Sequence, residues 1–255
     1  MKVLYEYLKR DESRENRISG YTEYKKKMDT LSKSLPLNII DSISTGFMIN
    51  TKHGIFKVGA GNTKVKFPTM NFEAGLTCSS SKECKFSFIV KRAGKSKSRL
   101  CYAQKLEGAR PAMFNAKIYQ AEVAERIATR ATIKEQKEIV ELIVEATRYV
   151  TNQKYVRFSE VGDIGPTVGK FANRVIKGLV EGGFKPYLYT KRPEKERKAF
   201  RAAGATVVIS EEDFVVVKNE EEAKAIGLPV CPGVCGGYKG CFRCPLGKKS
   251  AVIAH

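Results

Sequence analysis

Tryptophan is absent from this sequence, histidine occurs twice, and Asp and Glu together number 27 against 46 Lys and Arg. Each shortage excludes something. His53, in a turn-like Lys-His-Gly, and His255, the last residue, cannot supply a paired-histidine metal site of the rolling-circle nuclease or metalloprotease kind. A Ser/His/Asp hydrolase would have to use one of these two, which argues against that class. Phosphate-cradling motifs are missing as well: Gly59-x-Gly61 stands alone, with no helix predicted after it. No apolar run approaches the roughly 18 residues a membrane span needs. The opening MKVLYEYLKRDESRENR turns charged before a signal-peptide apolar region can develop. The sequence thus predicts a soluble, cytoplasmic protein with no membrane partner, and it carries no signal for an oligomeric state.

What the chain does have is length, positive charge and thiols. At 255 residues it can bury a core without disulfides. Its seven cysteines are an odd number, set at short spacings, so ligation of a metal or iron–sulfur cluster is favoured over bridging in a reducing compartment. The net charge of +19 attracts polyanions, because neutralised phosphates release counterions. Nucleic acid is the expected partner, ahead of anionic lipid, since no basic amphipathic helix stands out.

Periodicity divides the chain into an accessory region, residues 1–66, and an α/β region, residues 67–255. The first should hold a helix over Tyr21–Leu35, stopped by Pro36, and a hairpin or two short strands over Phe47–Phe67. Met70–Leu76 reads as a short strand, and Arg110–Arg130 and Lys134–Asn152 as helices. Strand and helix then alternate: Tyr155–Ser159, Thr167–Glu181, Pro186–Thr190, Glu194–Ala203, Thr206–Ser210, Phe214–Lys218, Glu220–Ile226 and Ala251–Ala254. That alternation predicts βα units around a parallel sheet. The chain is too short from Met70 onward for a full eight-fold barrel, so the expected fold class is α/β with a partial (β/α) barrel.

The cysteines form two groups. Cys78, Cys84 and Cys101 follow the predicted strand Met70–Leu76, where α/β folds place their sites. Three thiolates suit a metal or cluster with one coordination position open to a small molecule. Cys231, Cys235, Cys241 and Cys244 fall within CPGVCGGYKGCFRCPLG, in a cysteine-rich knuckle over residues 228–250. Its glycines let the backbone wrap an ion and bring N–H groups to the sulfurs. Zinc and a cubane cluster both fit this spacing.

Between Cys84 and Cys101 runs KFSFIVKRAGKSKSRL. Lys91, Arg92, Lys95, Lys97 and Arg99 are candidate phosphate contacts there, with Phe86 and Phe88 available for stacking. Lys248 and Lys249, beside the knuckle, are two more.

Three stretches carry a resemblance. They are Thr77-Cys78-x5-Cys84 with Cys101-Tyr102-Ala103, Val156-Arg157-Phe158-Ser159 with Gly162-Asp163, and Tyr189-Thr190-Lys191-Arg192-Pro193. Together they resemble the gene product 88 family of phage and plasmid proteins, related to phage proteins of the radical-SAM clan. The resemblance implies a radical-SAM-like partial barrel holding a [4Fe–4S] cluster on Cys78, Cys84 and Cys101, with S-adenosylmethionine at the open iron. Ser159 would touch that cofactor, and Asp163, Glu160 and Lys191 would line the catalytic mouth of the sheet. The four later cysteines would hold an auxiliary cluster or zinc. Sixteen residues lie between Cys84 and Cys101, more than that clan's short cysteine loop, and a Gly-Gly-Glu motif is missing. The expected function is therefore an iron–sulfur protein of a mobile element that modifies nucleic acid or a nucleotide. The alternative is a non-catalytic, metal-stapled nucleic-acid-binding protein.

Overall fold

The computed structural model describes residues 15–42, 46–61, 68–70, 110–150, 154–158, 163–209, 214–230 and 250–253. Helix α1 (Glu15–Ser34) begins earlier than its apolar pattern announces and ends just before Leu35-Pro36, where proline denies it another turn. Three antiparallel strands follow: β1 (Asn38–Ser42), β2 (Gly46–Thr51) and β3 (Gly54–Gly59). The predicted hairpin is therefore present, extended by a first strand that the sequence reading left out.

These strands do not form a sheet of their own. They continue through β4 (Thr69–Met70) into β5 (Tyr155–Phe158), β6 (Lys185–Thr190) and β7 (Thr206–Ile209), in the order β1 to β7 across one seven-stranded sheet. Pairing is antiparallel from β1 to β4 and parallel from β4 to β7. The fold is mixed α/β. Strands β4 to β7 lie side by side in chain order, each step crossing through helix, and among the described residues the sheet is open, with β1 and β7 at its edges.

The crossovers are α2 (Pro111–Arg130) with α3 (Ile133–Val150), then a single 3₁₀ turn (Pro166–Val168) with α4 (Gly169–Glu181), then α5 (Glu194–Ala202). Thr132 caps α3 in a reciprocal box. Its N–H donates to Glu135 Oε2 at 2.7 Å, and the Glu135 N–H donates to Thr132 Oγ1 at 3.3 Å. Gln136, 3% exposed, donates to the Ile127 and Ala131 carbonyls, closing the end of α2 with a side chain.

One core unites the sheet and the helices. Ile49, Phe56, Val58, Met70, Val156, Phe158, Leu188 and Val207 pack with Ile118, Ile127, Ile143, Phe171, Ile176 and Phe200. Gln120 of α2 does something less usual. Its Nε2–H donates to the Lys57 carbonyl and its Oε1 accepts from the Lys57 N–H, both at 2.8 Å, so an amide side chain occupies ladder positions on β3. Gly54, with φ +127°, lets β3 approach that helix: a Cβ there would stand 2.6 Å from Val123 Cγ2.

Strand β8 (Phe214–Val217), helix α6 (Glu220–Ala225) and strand β9 (Ser250–Ile253) form a two-stranded parallel sheet apart from the first. Val217, Ala223 and Ala251 make its small core. Asn219 caps α6, its Oδ1 accepting from the Glu222 N–H at 2.9 Å.

Candidate functional site at the carboxyl edge of the parallel strands

In-register pairing fixes where the connecting segments begin. Met70 lies beside Phe158, Phe158 beside Leu188, and Thr190 beside Ile209. The segments that follow β4, β5, β6 and β7 therefore leave from one edge of the sheet. Residues 71–109, which carry Cys78, Cys84 and Cys101, start at that edge, as do 159–162, which carry Ser159 and Glu160. Carboxyl ends of parallel strands are where α/β folds bind ligands, because loops converge there without disturbing the ladder.

The edge is held by a buried carboxylate. Asp163, 4% exposed, lies five residues past the end of β5 and reaches the end of β6. Thr190 Oγ1 stands 2.9 Å from both carboxylate oxygens, the Lys191 N–H donates to Oδ2 at 3.1 Å, and the Ile164 N–H donates to Oδ1 at 2.7 Å. Burial pushes the carboxyl up to about 6, against the pull of these donors and of the nearby Arg192 charge. Thr190 Oγ1 also accepts the Arg192 N–H at 3.0 Å. The Arg192 guanidinium, 5% exposed, pairs with Glu196 one turn into α5. Asp163 thus ties β5 to β6, and Arg192 ties β6 to α5. The structure brings Asp163 and the Lys191 backbone together, and it engages Arg192 internally with Glu196.

The other sequence-predicted residues lie outside the described residues: Ser159, Glu160, the cysteines Cys78, Cys84, Cys101, Cys231, Cys235, Cys241 and Cys244, and the cations Lys91, Arg92, Lys95, Lys97, Arg99, Lys248 and Lys249. Phe86 and Phe88 lie outside them too. Among the described residues no group of three or more His, Cys, Asp or Glu side chains is placed to hold a metal ion. The ends of the second cysteine segment are described, however. The Ala251 N–H donates to the Pro229 carbonyl at 2.9 Å, and Val230 bridges to Ala251, so residues 231–249 leave from and return to adjacent points.

Sequence reasoning missed the sheet face turned away from the described helices. Val156, Phe158, Leu188 and Val207 point into the helix-covered core, so their neighbours Tyr155, Arg157, Tyr187, Tyr189 and Thr206 point the other way. Arg157 sits over the Tyr189 ring, 4.8 Å from its centroid, and Tyr187 meets Tyr189 edge to face at 5.9 Å. Lys185 lies 5.9 Å from the Tyr155 centroid at the opposite, amino end. The signal was there in Tyr-Val-Arg-Phe and Lys-Pro-Tyr-Leu-Tyr-Thr, where aromatic and cationic residues alternate with apolar ones.

No family model matches this chain, and neither the curated proteins nor the solved structures contain a match to it. Among the described residues no helix is long and apolar enough to cross a membrane.

Proposed function

We propose that this chain is an iron–sulfur protein of radical-SAM-like type, built on a partial (β/α) barrel, that acts on nucleic acid or a nucleotide. One observation carries the reading: β4 to β7 lie in chain order, and the segment bearing Cys78, Cys84 and Cys101 leaves the carboxyl end of β4. Side-by-side winding in chain order is the arrangement of a (β/α) barrel wall, and its carboxyl edge is the place for chemistry. The donor set fits, because three thiolates leave one iron of a cubane cluster without a protein ligand. Cys78, Cys84 and Cys101 are the residues that would hold the cluster. Such a cluster would supply single-electron chemistry to S-adenosylmethionine or another small molecule. The chain's own residues shape the edge: Asp163 fixes the ends of β5 and β6 at a constant spacing, and Arg157 and Tyr189 give the neighbouring face its charge and aromatic surface.

The pinned ends of residues 231–249 favour a second reading, a metal knuckle that staples a basic nucleic-acid-binding protein. Holding the ends of a loop together beforehand lowers the entropy lost when four cysteines close on an ion.

Anaerobic purification followed by metal analysis separates the two. Brown protein with charge-transfer absorbance and about four irons per cluster site is expected for the first reading. Colourless protein with stoichiometric zinc would leave only the second. Cys101→Ala should remove the first site's iron while the four-cysteine site keeps its metal.

A further inference from the structure

The face of β5 and β6 turned away from the described helices carries a cation, Arg157, with no ion pair among the described residues. Arg157 is half-buried, and its Nε is buried without a hydrogen-bond partner. Its side chain has no carboxylate among the described residues, and it lies over the Tyr189 ring. Other interior cations of this chain are treated differently. Arg192 is paired with Glu196, and Arg126 meets Asp29 at 2.9 Å and Glu122 at 3.2 Å. Drawing a guanidinium out of water without an anion is costly, and stacking on one ring offsets only part of that cost.

Position adds to the point. Arg157 is paired in register with Tyr187, but its guanidinium lies over Tyr189, nearer the carboxyl edge. It leans toward the edge that Asp163 fixes. The described residues around it on this face, Thr69, Tyr187, Tyr189 and Thr206, bring hydroxyl groups and aromatic rings and no acid. A guanidinium is a planar fork of N–H donors that can take an oxyanion by two parallel hydrogen bonds.

We propose that Arg157, braced by Tyr189, anchors the oxyanion of a ligand, a phosphate or a carboxylate, on the face of the parallel strands turned away from the described helices. This deepens the proposed function by naming the ligand chemistry of the same sheet, and it rests on that reading only in treating the ligand as a substrate. Arg157 is the anchor and Tyr189 the positioning residue. Lys185, exposed at the far end over Tyr155, is not part of the site.

Calorimetric titration of the full chain, purified anaerobically with whatever metal it carries, tests this with inorganic phosphate and with acetate at constant ionic strength. Wild-type protein should bind at least one probe, and the better of the two identifies the source of the oxyanion. Arg157→Gln should weaken that binding at least about tenfold, Arg157→Lys should restore part of it, and Lys195→Gln, an exposed change on α5, should leave it unaltered. Equal binding by wild type and Arg157→Gln, an equal loss in Lys195→Gln, or no binding of either probe overturns the proposal. Should Arg157→Gln fail to fold, phenylglyoxal modification of the wild type read by peptide mass spectrometry serves instead. The bound probe should protect Arg157, and modification at an unchanged rate overturns the proposal. Iron content is measured on the same sample. Protein without iron that still binds at Arg157 would sink the iron–sulfur reading and leave this one standing, and the reverse result would do the opposite.

Discussion

The hydroxyl of Thr190 is equidistant, at 2.9 Å, from the two carboxylate oxygens of Asp163, across 27 residues of chain. It also accepts the N–H of Arg192, so one threonine is both donor and acceptor where β6 ends. Asp163→Ala should take the partner from the buried Thr190 hydroxyl and the buried Ile164 N–H and cost about 1–3 kcal/mol for each. Thr190→Val keeps the shape and removes only the hydroxyl, so it should cost less. Urea denaturation of both variants with an unchanged slope checks this.

Asp163 also sets a pH dependence. Its carboxyl is raised by burial to about 6 in the folded chain, from 3.8 in the absence of burial. Between those two values the unfolded chain has released its proton and the folded chain still holds it. The folded state then binds more protons, so stability falls as pH rises through this window, by up to about 3 kcal/mol from this group. Denaturation midpoints of wild type and Asp163→Asn, compared at pH 4 and pH 7, should diverge: the wild type should lose stability relative to the variant on going to pH 7. A constant difference between the two proteins would refute the assignment.

Helix α4 lies close against α3 because Gly178 lacks a side chain. A Cβ at that position would stand 2.4 Å from Val140 Cγ1. Gly178→Ala therefore gains helix propensity but must push the helices apart, and the expected net effect is a loss of about 1–3 kcal/mol. Val140→Ala in the same chain should recover much of it, since the clash is with that one methyl group. Thermal melts of the two single variants and the double variant measure the coupling.

Much of the architecture was legible in the residues, for physical reasons that differ by element. Helix α3 could be read from Ile139, Ile143 and Ala146, all buried in the structure as their spacing requires. Strand β6 and helix α5 were bounded to within a residue, because Gly183 and Gly204, both at positive φ, end the preceding helices sharply. Strand β1 was missed, since Asn38–Ser42 holds only two apolar residues and owes its form to pairing with β2. The continuity of β1–β3 with the parallel strands was also out of reach, because among the described residues one pair, Gly59 with Thr69, makes the join. At the sheet edge, the motifs single out Asp163 and Lys191 but say nothing of the Thr190 hydroxyl between them. Arg157 was quoted for its place in Val-Arg-Phe-Ser and not recognised as a site residue. Its meaning depends on which way a strand faces, and that is decided by helices elsewhere in the chain.

The amide of Gln120 has a consequence for how copies of this protein behave toward one another. A strand with open N–H and C=O groups is a template on which a second molecule can lay a strand of its own, and at Lys57 both of those groups are already engaged by Gln120. Among the described residues β4 pairs with β3 at Gly59. A single side chain thereby closes, at Lys57, backbone groups on which an added strand could otherwise pair.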